Sequence, residues 1–310
     1  MSAAGQLPAE VLASEQQPRG PSRAWLYPLL WLMILSWGLN FVVGKIALRE
    51  IPPLAVASLR TIIAGVFILP VFLWSTRGRR RSFPARDVLA LLVLGVALAV
   101  GNQILFVVGL SRTSVAHAAV AVALSPITAL IIAAIAGQER ITGRKVIGML
   151  IAFSGIIALQ IGRNGGRGPT LAGDLILVLS GSLFAAYAVL GKALTARYGS
   201  LTANTFAYTG GAVVMLPVSI WLLGSFDASR VSIVAWAAVA YMAVFSAVIA
   251  YLIFYYALQW LPASRVSAFS YLQPLLAAGS AALILGERTT AGFAVACALV
   301  LTGVFLTERG

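Results

Sequence analysis

Asn40, Asn102, Gln103, Tyr187, Tyr251, Tyr255, Ser270, Tyr271 and Gln273 each interrupt a long apolar run. A polar side chain in such a run faces either another polar group or a wet cavity, because the alternative is an unsatisfied group in hydrocarbon. These nine are the candidate substrate-binding residues. Their amides and hydroxyls can bond the polar end of a solute, while the tyrosine rings stack on its aromatic or apolar part. Tyr251 and Tyr255 are four residues apart and share one helix face. The chemistry is binding rather than bond-making. A single histidine, His117, and a single cysteine, Cys297, leave no metal constellation, disulfide framework or His-based catalytic pair. No enzyme, no cofactor and no resident metal are therefore expected.

Two residues carry charge into this setting. Arg60 follows Pro53 by seven residues inside an apolar run and needs a partner or a wet vestibule. His117 is the lone histidine, a side chain that can carry a proton, which allows proton coupling, although an interfacial histidine fits as well. Lys45 and Lys192 close apolar runs, where the usual behaviour is to snorkel toward water. All nine acids lie in tails, loops or run ends.

The elements that must hold these residues are membrane-spanning. Hydrophobic residues make up 60% of the 310, charged residues 10%, and mean hydropathy is +0.96. Soluble domains carry about 25% charged residues. Ten runs are long enough for a helix to cross a hydrocarbon core, near 25–45, 54–74, 88–110, 114–137, 144–162, 171–192, 202–223, 233–257, 264–286 and 290–307. The runs are continuous and do not alternate with period two, which favours helices over a barrel. The first 24 residues are rich in Ala, Gln, Pro and Glu and read as a disordered cytoplasmic tail rather than a signal peptide.

Lys and Arg total 22 against nine acids, for a net charge of +13. The basic residues lie between apolar runs instead of on one soluble face, so nucleic acid is not an expected partner. With ten spans, 14 of them fall on the side of both termini and seven on the other, with Arg60 inside span 2. The positive-inside rule places both termini in the cytoplasm. Trp25, Trp74, Trp236 and Trp260 read as interfacial anchors.

The chain repeats itself. A shift of 148 residues pairs Pro126 with Pro274, Glu139 with Glu287, Arg140 with Arg288, Thr142 with Thr290, and Gly155 with Gly303. It also pairs Gln103 with Tyr251, Ser125 with Gln273, and His117 with Arg265. Five spans per copy is an odd number, so the second copy enters the membrane from the opposite side. The expected fold class is an all-α membrane protein of ten transmembrane helices in two inverted five-helix repeats, 25–162 and 163–310. Pro126 and Pro274 fall near the middles of spans 4 and 9, where each removes a helix hydrogen bond and offers a hinge. Glu139 and Glu287 look structural, each preceding a threonine placed to cap the next span. The Gly148 and Gly155 face reads as helix packing.

Trp37-Gly38 with Asn40-Phe41, and the twice-used pattern Pro126…Glu139-Arg140…Gly148…Gly155 and Pro274…Gly286-Glu287-Arg288…Gly303, resemble the ten-helix, EamA-type members of the drug/metabolite transporter superfamily. The similarity covers about residues 25 to 307. Gln138 stands where the pattern has glycine, and Ala296 stands opposite Gly148. Length, the aromatic-rich span 8 and the composition further resemble bacterial amino-acid exporters, including the aromatic branch. That resemblance implies export of amino acids across the bacterial inner membrane, with the lipid bilayer and a small-molecule substrate as partners and a monomer or weak homodimer as the state. With no acid near a bilayer centre, where coupled carriers commonly hold one, the expectation is uncoupled or weakly coupled transport. A sugar, nucleoside, drug or phosphorylated cargo is the rival within the superfamily.

Overall fold

The computed structural model describes residues 23–77, 83–137, 140–158, 170–222, 224–260, 272–287 and 291–309. Each of the ten apolar runs is helical where it is described, and no strand occurs among these residues. The helices are α1 Arg23–Ala47, α2 Pro53–Ser75, α3 Ala85–Ser111, α4 Val115–Ile135, α5 Gly143–Ala158, α6 Leu171–Leu190, the short α7 Lys192–Tyr198, and α8 Ser200–Leu222. The next, α9, runs Ile233–Tyr241, Met242–Ile249 and Ala250–Trp260 without interruption, and α10 Gln273–Leu285 and α11 Ala291–Arg309 complete the order. Seven of them (α1, α2, α3, α4, α6, α8 and α9) are long and apolar enough to cross a membrane. The expected ten is thus met at seven. The described part of α5 is 16 residues and that of α10 is 13, and most of the first half of span 9 lies outside the described residues.

Helix starts follow local chemistry. Pro53 opens α2, where a missing N–H costs nothing. Ser114, Thr170 and Ser232 cap α4, α6 and α9 by accepting from the N–H groups of His117, Gly173 and Ala235. Thr142 accepts from Lys145 N–H and caps α5, as its position predicts. Glu287 is structural too, by a route the spacing does not show. Its carboxylate accepts the Val115 N–H at 3.2 and 3.3 Å, so it caps α4 from a distant part of the chain.

Two helix interiors depart from α geometry at matching places. Residues Gly95–Val100 of α3 and Met242–Ile249 of α9 are π-helical, and the 148 shift carries the first segment onto residues 243–248. Pro126 sits at a full break in its helix. In α4 the first segment ends at Val122, and a new one starts at Ser125 with Pro126 in its first turn. In α10 Pro274 likewise stands in the first turn, after Leu272. The residues before the two restarts, Leu124 and Leu272, share φ −77°. Pro274 is buried and Pro126 half-buried, so neither lies on an open surface.

Large apolar side chains such as Val66, Leu73, Val213, Ile220 and Leu283 are exposed, as a lipid-facing belt requires. Trp25 and Trp74, each 73% exposed, lie near the ends of their helices where interfacial anchors belong. The contacts inside have partners on exchanging the halves. Helix α1 packs on α9 and α10, while α6 packs on α3 and α4; α2 pairs with α8, and α5 with α11. The α5–α11 contact is the tightest. A Cβ at Gly303 would lie 2.4 Å from the Gly148 carbonyl and the Ala152 nitrogen, which explains the glycines that the repeat aligns there.

Both ends are tied across the halves. At one end Glu50 accepts from Ser232 N–H at 2.6 Å and from its hydroxyl at 2.7 Å. These donors, the backbone one foremost, hold the Glu50 carboxyl below the usual carboxylate range. At the other end Asp87 accepts from Arg197 at 2.8 Å and from the Tyr198 hydroxyl.

Replacing Gly303 by Ala is expected to cost about 1–3 kcal/mol, because two packed backbones must part. Gly279→Ala on α10, with nothing within 4 Å of its Cβ, is the control and is expected to be neutral or stabilising by up to about 1 kcal/mol. Thermal unfolding in detergent reads both. The Glu50 clamp carries a pH signature. A carboxyl whose folded pKa is depressed stabilises above the unfolded pKa and loses that contribution as pH falls through the folded one. Glu50→Gln is therefore expected to lower the melting temperature at neutral pH, and the gap from wild type to close on acidification.

Candidate functional site

Inside the helix bundle, α1, α3, α6 and α9 converge on a cluster of aromatic rings. Trp37 on α1 contacts Phe184 of α6 at 6.2 Å, and Tyr251 and Phe254 of α9 at 5.5 and 5.7 Å between centroids. Phe184 meets Tyr251 at 5.7 Å, edge to face. Tyr187 and Tyr255 meet at 6.4 Å one turn further along. Edge-to-face rings at these distances attract through their quadrupoles, by about 0.5–1.5 kcal/mol per pair. They also touch one another, so an entering solute must separate them.

The π segment of α9 is what aims these rings. Extra residues in its turns loosen the backbone ladder, and side chains from α1 and α2 bond its carbonyls. Trp37 Nε1 donates to Ser246 O at 3.1 Å, and Arg60 Nη2 to Met242 O at 3.4 Å. In return Ser246 and Tyr241 donate their hydroxyls to Ser36 O. Helix α1 is thus pinned to the segment that presents Tyr251 and Tyr255.

Of the nine expected residues, five assemble here. Gln103 Nε2 donates to the Tyr251 hydroxyl at 3.2 Å, joining two positions that the repeat aligns. Tyr187 and Tyr255 have buried hydroxyls, and Asn40 a buried Oδ1, with no hydrogen-bond partner among the described residues. Asn102 does something else. It donates to Ser180 O at 2.7 Å and Ser180 Oγ at 3.1 Å, and Ser180 Oγ donates back to Asn102 O. That closed pair fastens α3 to α6 and leaves the amide little freedom to bind a solute. Gln273 is half-buried at the start of α10. Ser270 and Tyr271 lie outside the described residues.

Several participants were not among those nine, Phe254 of α9 being one. Trp37 and Phe184 supply the ring cluster, and Asn204 and Tyr208 of α8 bury polar atoms without partners. Asn204 and Tyr208 are four residues apart, the same spacing that singles out Tyr251 and Tyr255. Arg60 is 1% exposed, with Cζ 5.9 Å from the Phe106 ring centroid. Its Nε and Nη1 have no partner among the described residues.

His117 belongs to a separate group. Its Nδ1 lies 3.1 Å from Asp174 Oδ2, and Thr113 donates to the other oxygen at 2.6 Å. Asp174 is fully buried in the first turn of α6. It is an acid at a span end, as expected, though not a wet one. On the same side, Lys45, Leu48, Arg49, Ser111, Leu285 and Glu287 line an open cleft of about 290 Å³. No group of three or more metal-ligating side chains occurs among the described residues.

These features match known proteins along almost their full length. The chain is 30% identical over 293 residues to an uncharacterized transporter of Archaeoglobus fulgidus, covering 93% of this chain and 99% of that one. It is 29% identical over 256 residues to the uncharacterized inner membrane transporter YedA of Escherichia coli, covering 81% and 80%. The uncharacterized transporter YyaM of Bacillus subtilis is 28% identical, covering 80% and 83%. A solved crystal structure superposes with a TM-score of 0.65 at 19% identity over 93% of this chain and 98% of that one, which supports the fold. The model of the EamA-like transporter family matches twice, over residues 24–160 and 171–309, one match for each half that the 148-residue shift aligns. With a family model spanning both halves, the chain belongs to the EamA-like transporter family, a group of multi-pass membrane transporters within the drug/metabolite transporter superfamily.

Proposed function

We propose that this transporter exports amino acids, aromatic and other large neutral ones, from the bacterial cytoplasm across the inner membrane by alternating access. The observation that carries the reading is the mid-depth cluster. Trp37, Phe184, Tyr251 and Phe254 form an aromatic box, and beside it Tyr187, Tyr255 and Asn40 bury polar atoms that await a partner. Such a site suits a solute with one apolar and one polar end.

Two inverted five-helix repeats, residues 25–162 and 163–310, supply the motion. The paired helix contacts, the matched π segments and the matched proline breaks support that arrangement. Rocking of α3, α4, α9 and α10 about the cluster opens one side as the other closes, with the breaks at Pro126 and Pro274 as hinges. Both termini face the cytoplasm, which puts the Glu50–Ser232 tie and the cleft at Lys45 and Glu287 on the outer side. Transport is uncoupled or weakly coupled, because no acid of the sequence falls near the bilayer centre. The working unit is a monomer or weak homodimer.

Purified protein in liposomes is expected to carry labelled phenylalanine down its gradient. Gln103→Ala and Tyr251→Ala are each expected to slow this about tenfold while the protein stays folded. Wild-type rates in both folded variants count against the cluster as the site.

A further inference from the structure

We infer that Arg60 is the receptor for a carboxylate on the transported solute, so that the site takes carboxylates attached to an apolar or aromatic group. This deepens the proposed function and rests on its claim that the cluster is a solute site.

Arg60 follows the start of α2 by seven residues, about 10 Å along the helix axis. It is almost completely buried, at the depth where a guanidinium is most costly to hold without a counter-charge. Arginine does not escape this cost by giving up its proton. Its neighbours satisfy it poorly. One nitrogen donates to Met242 O across 3.4 Å, the Phe106 ring lies at the far limit of a cation–π contact, and Nε and Nη1 have no partner among the described residues. The charged groups of the chain offer no remedy. All nine acids fall in tails, loops or helix ends, and among the described residues no carboxylate forms an ion pair with Arg60. A buried cation without an internal anion is a site whose counter-ion arrives from outside.

Tyr251 joins that cation to the aromatic box. It accepts from Gln103, which is one helical turn from the Phe106 ring beside the guanidinium, and contacts Trp37 and Phe184 with its ring. A bound solute accordingly directs its carboxylate to the guanidinium and its apolar part to the rings. Guanidinium suits carboxylate better than an ammonium does, because its planar fork presents several N–H groups at once. The competing role for Arg60 is a rivet that only holds Met242 O of the π segment. A rivet is blind to the charge of the solute, and that difference sets the test.

Thermal shift on the purified wild-type protein compares 3-phenylpropionate with 3-phenylpropionamide, which differ only in the charged group. The acid is expected to stabilise the protein at concentrations about tenfold lower than the amide, and Arg60→Gln is expected to abolish that preference. Equal action of acid and amide on the wild type overturns the proposal even if Arg60→Gln fails to fold. So does a preference that survives in a folded Arg60→Gln protein. Flux of labelled phenylalanine and labelled 3-phenylpropionate in liposomes separates the two claims. Arg60-dependent flux of the phenylpropionate alone leaves the anchor standing and removes amino acids as the cargo. Flux of phenylalanine with acid and amide competing equally keeps the cargo and removes the anchor.

Discussion

Hydrocarbon offers no hydrogen bonds, and every feature of this protein answers to that constraint. Where a polar group is structural, the chain closes it on itself. Asn102 and Ser180 exchange bonds between α3 and α6, Ser219 donates to Ser58 between α8 and α2, and Thr61 returns its hydroxyl to Ala57 O. Against that background the buried atoms of Asn40, Arg60, Tyr187, Asn204, Tyr208 and Tyr255 stand apart, since they lack partners among the described residues. They belong to helices that meet around one aromatic cluster. Among the described residues, polar groups are left open around this cluster and closed elsewhere, which is the basis for proposing it as the solute site.

The same constraint explains how the backbone is allowed to be irregular. A π segment or a proline break frees carbonyls, which is tolerable only against protein or a wet cavity. In α9 the freed carbonyls of Met242 and Ser246 are met by Arg60 and Trp37. The break before Pro126 and the helix start at Pro274 fall in helices packed against α6 and α1. Irregularity thus clusters at the interface between halves, while the tight glycine seam of α5 and α11 stays regular.

Much of this is legible in the sequence, and the reasons for the rest are physical. Continuous apolar runs announce helices because nothing else satisfies a backbone in lipid. The 148-residue shift works because Pro126/Pro274 and Gly155/Gly303 are tied to backbone geometry, which tolerates few replacements. Gln103 and Tyr251, aligned by that shift, are in hydrogen-bond contact. Four things stay hidden. Asn102 looks like its neighbour Gln103 in the sequence, and only the position of Ser180 shows that its bonds are used. Glu287 reaches Val115 across 172 residues, a separation no local pattern encodes. The π segments of α3 and α9 carry no proline to signal them. Trp37 and Phe184 look like ordinary apolar residues until α1 and α6 bring them together.

The central claim is that one amphiphilic pocket lies between the two halves, with rings on one side and a cation on the other. A cryo-electron microscopy map of the protein saturated with an aromatic amino acid tests it most directly. The expected density separates Trp37 from Phe184 and Tyr251, with its carboxylate within 3 Å or so of the Arg60 guanidinium. Density confined to the cleft at Lys45, Arg49 and Glu287, over rings still in mutual contact, contradicts it.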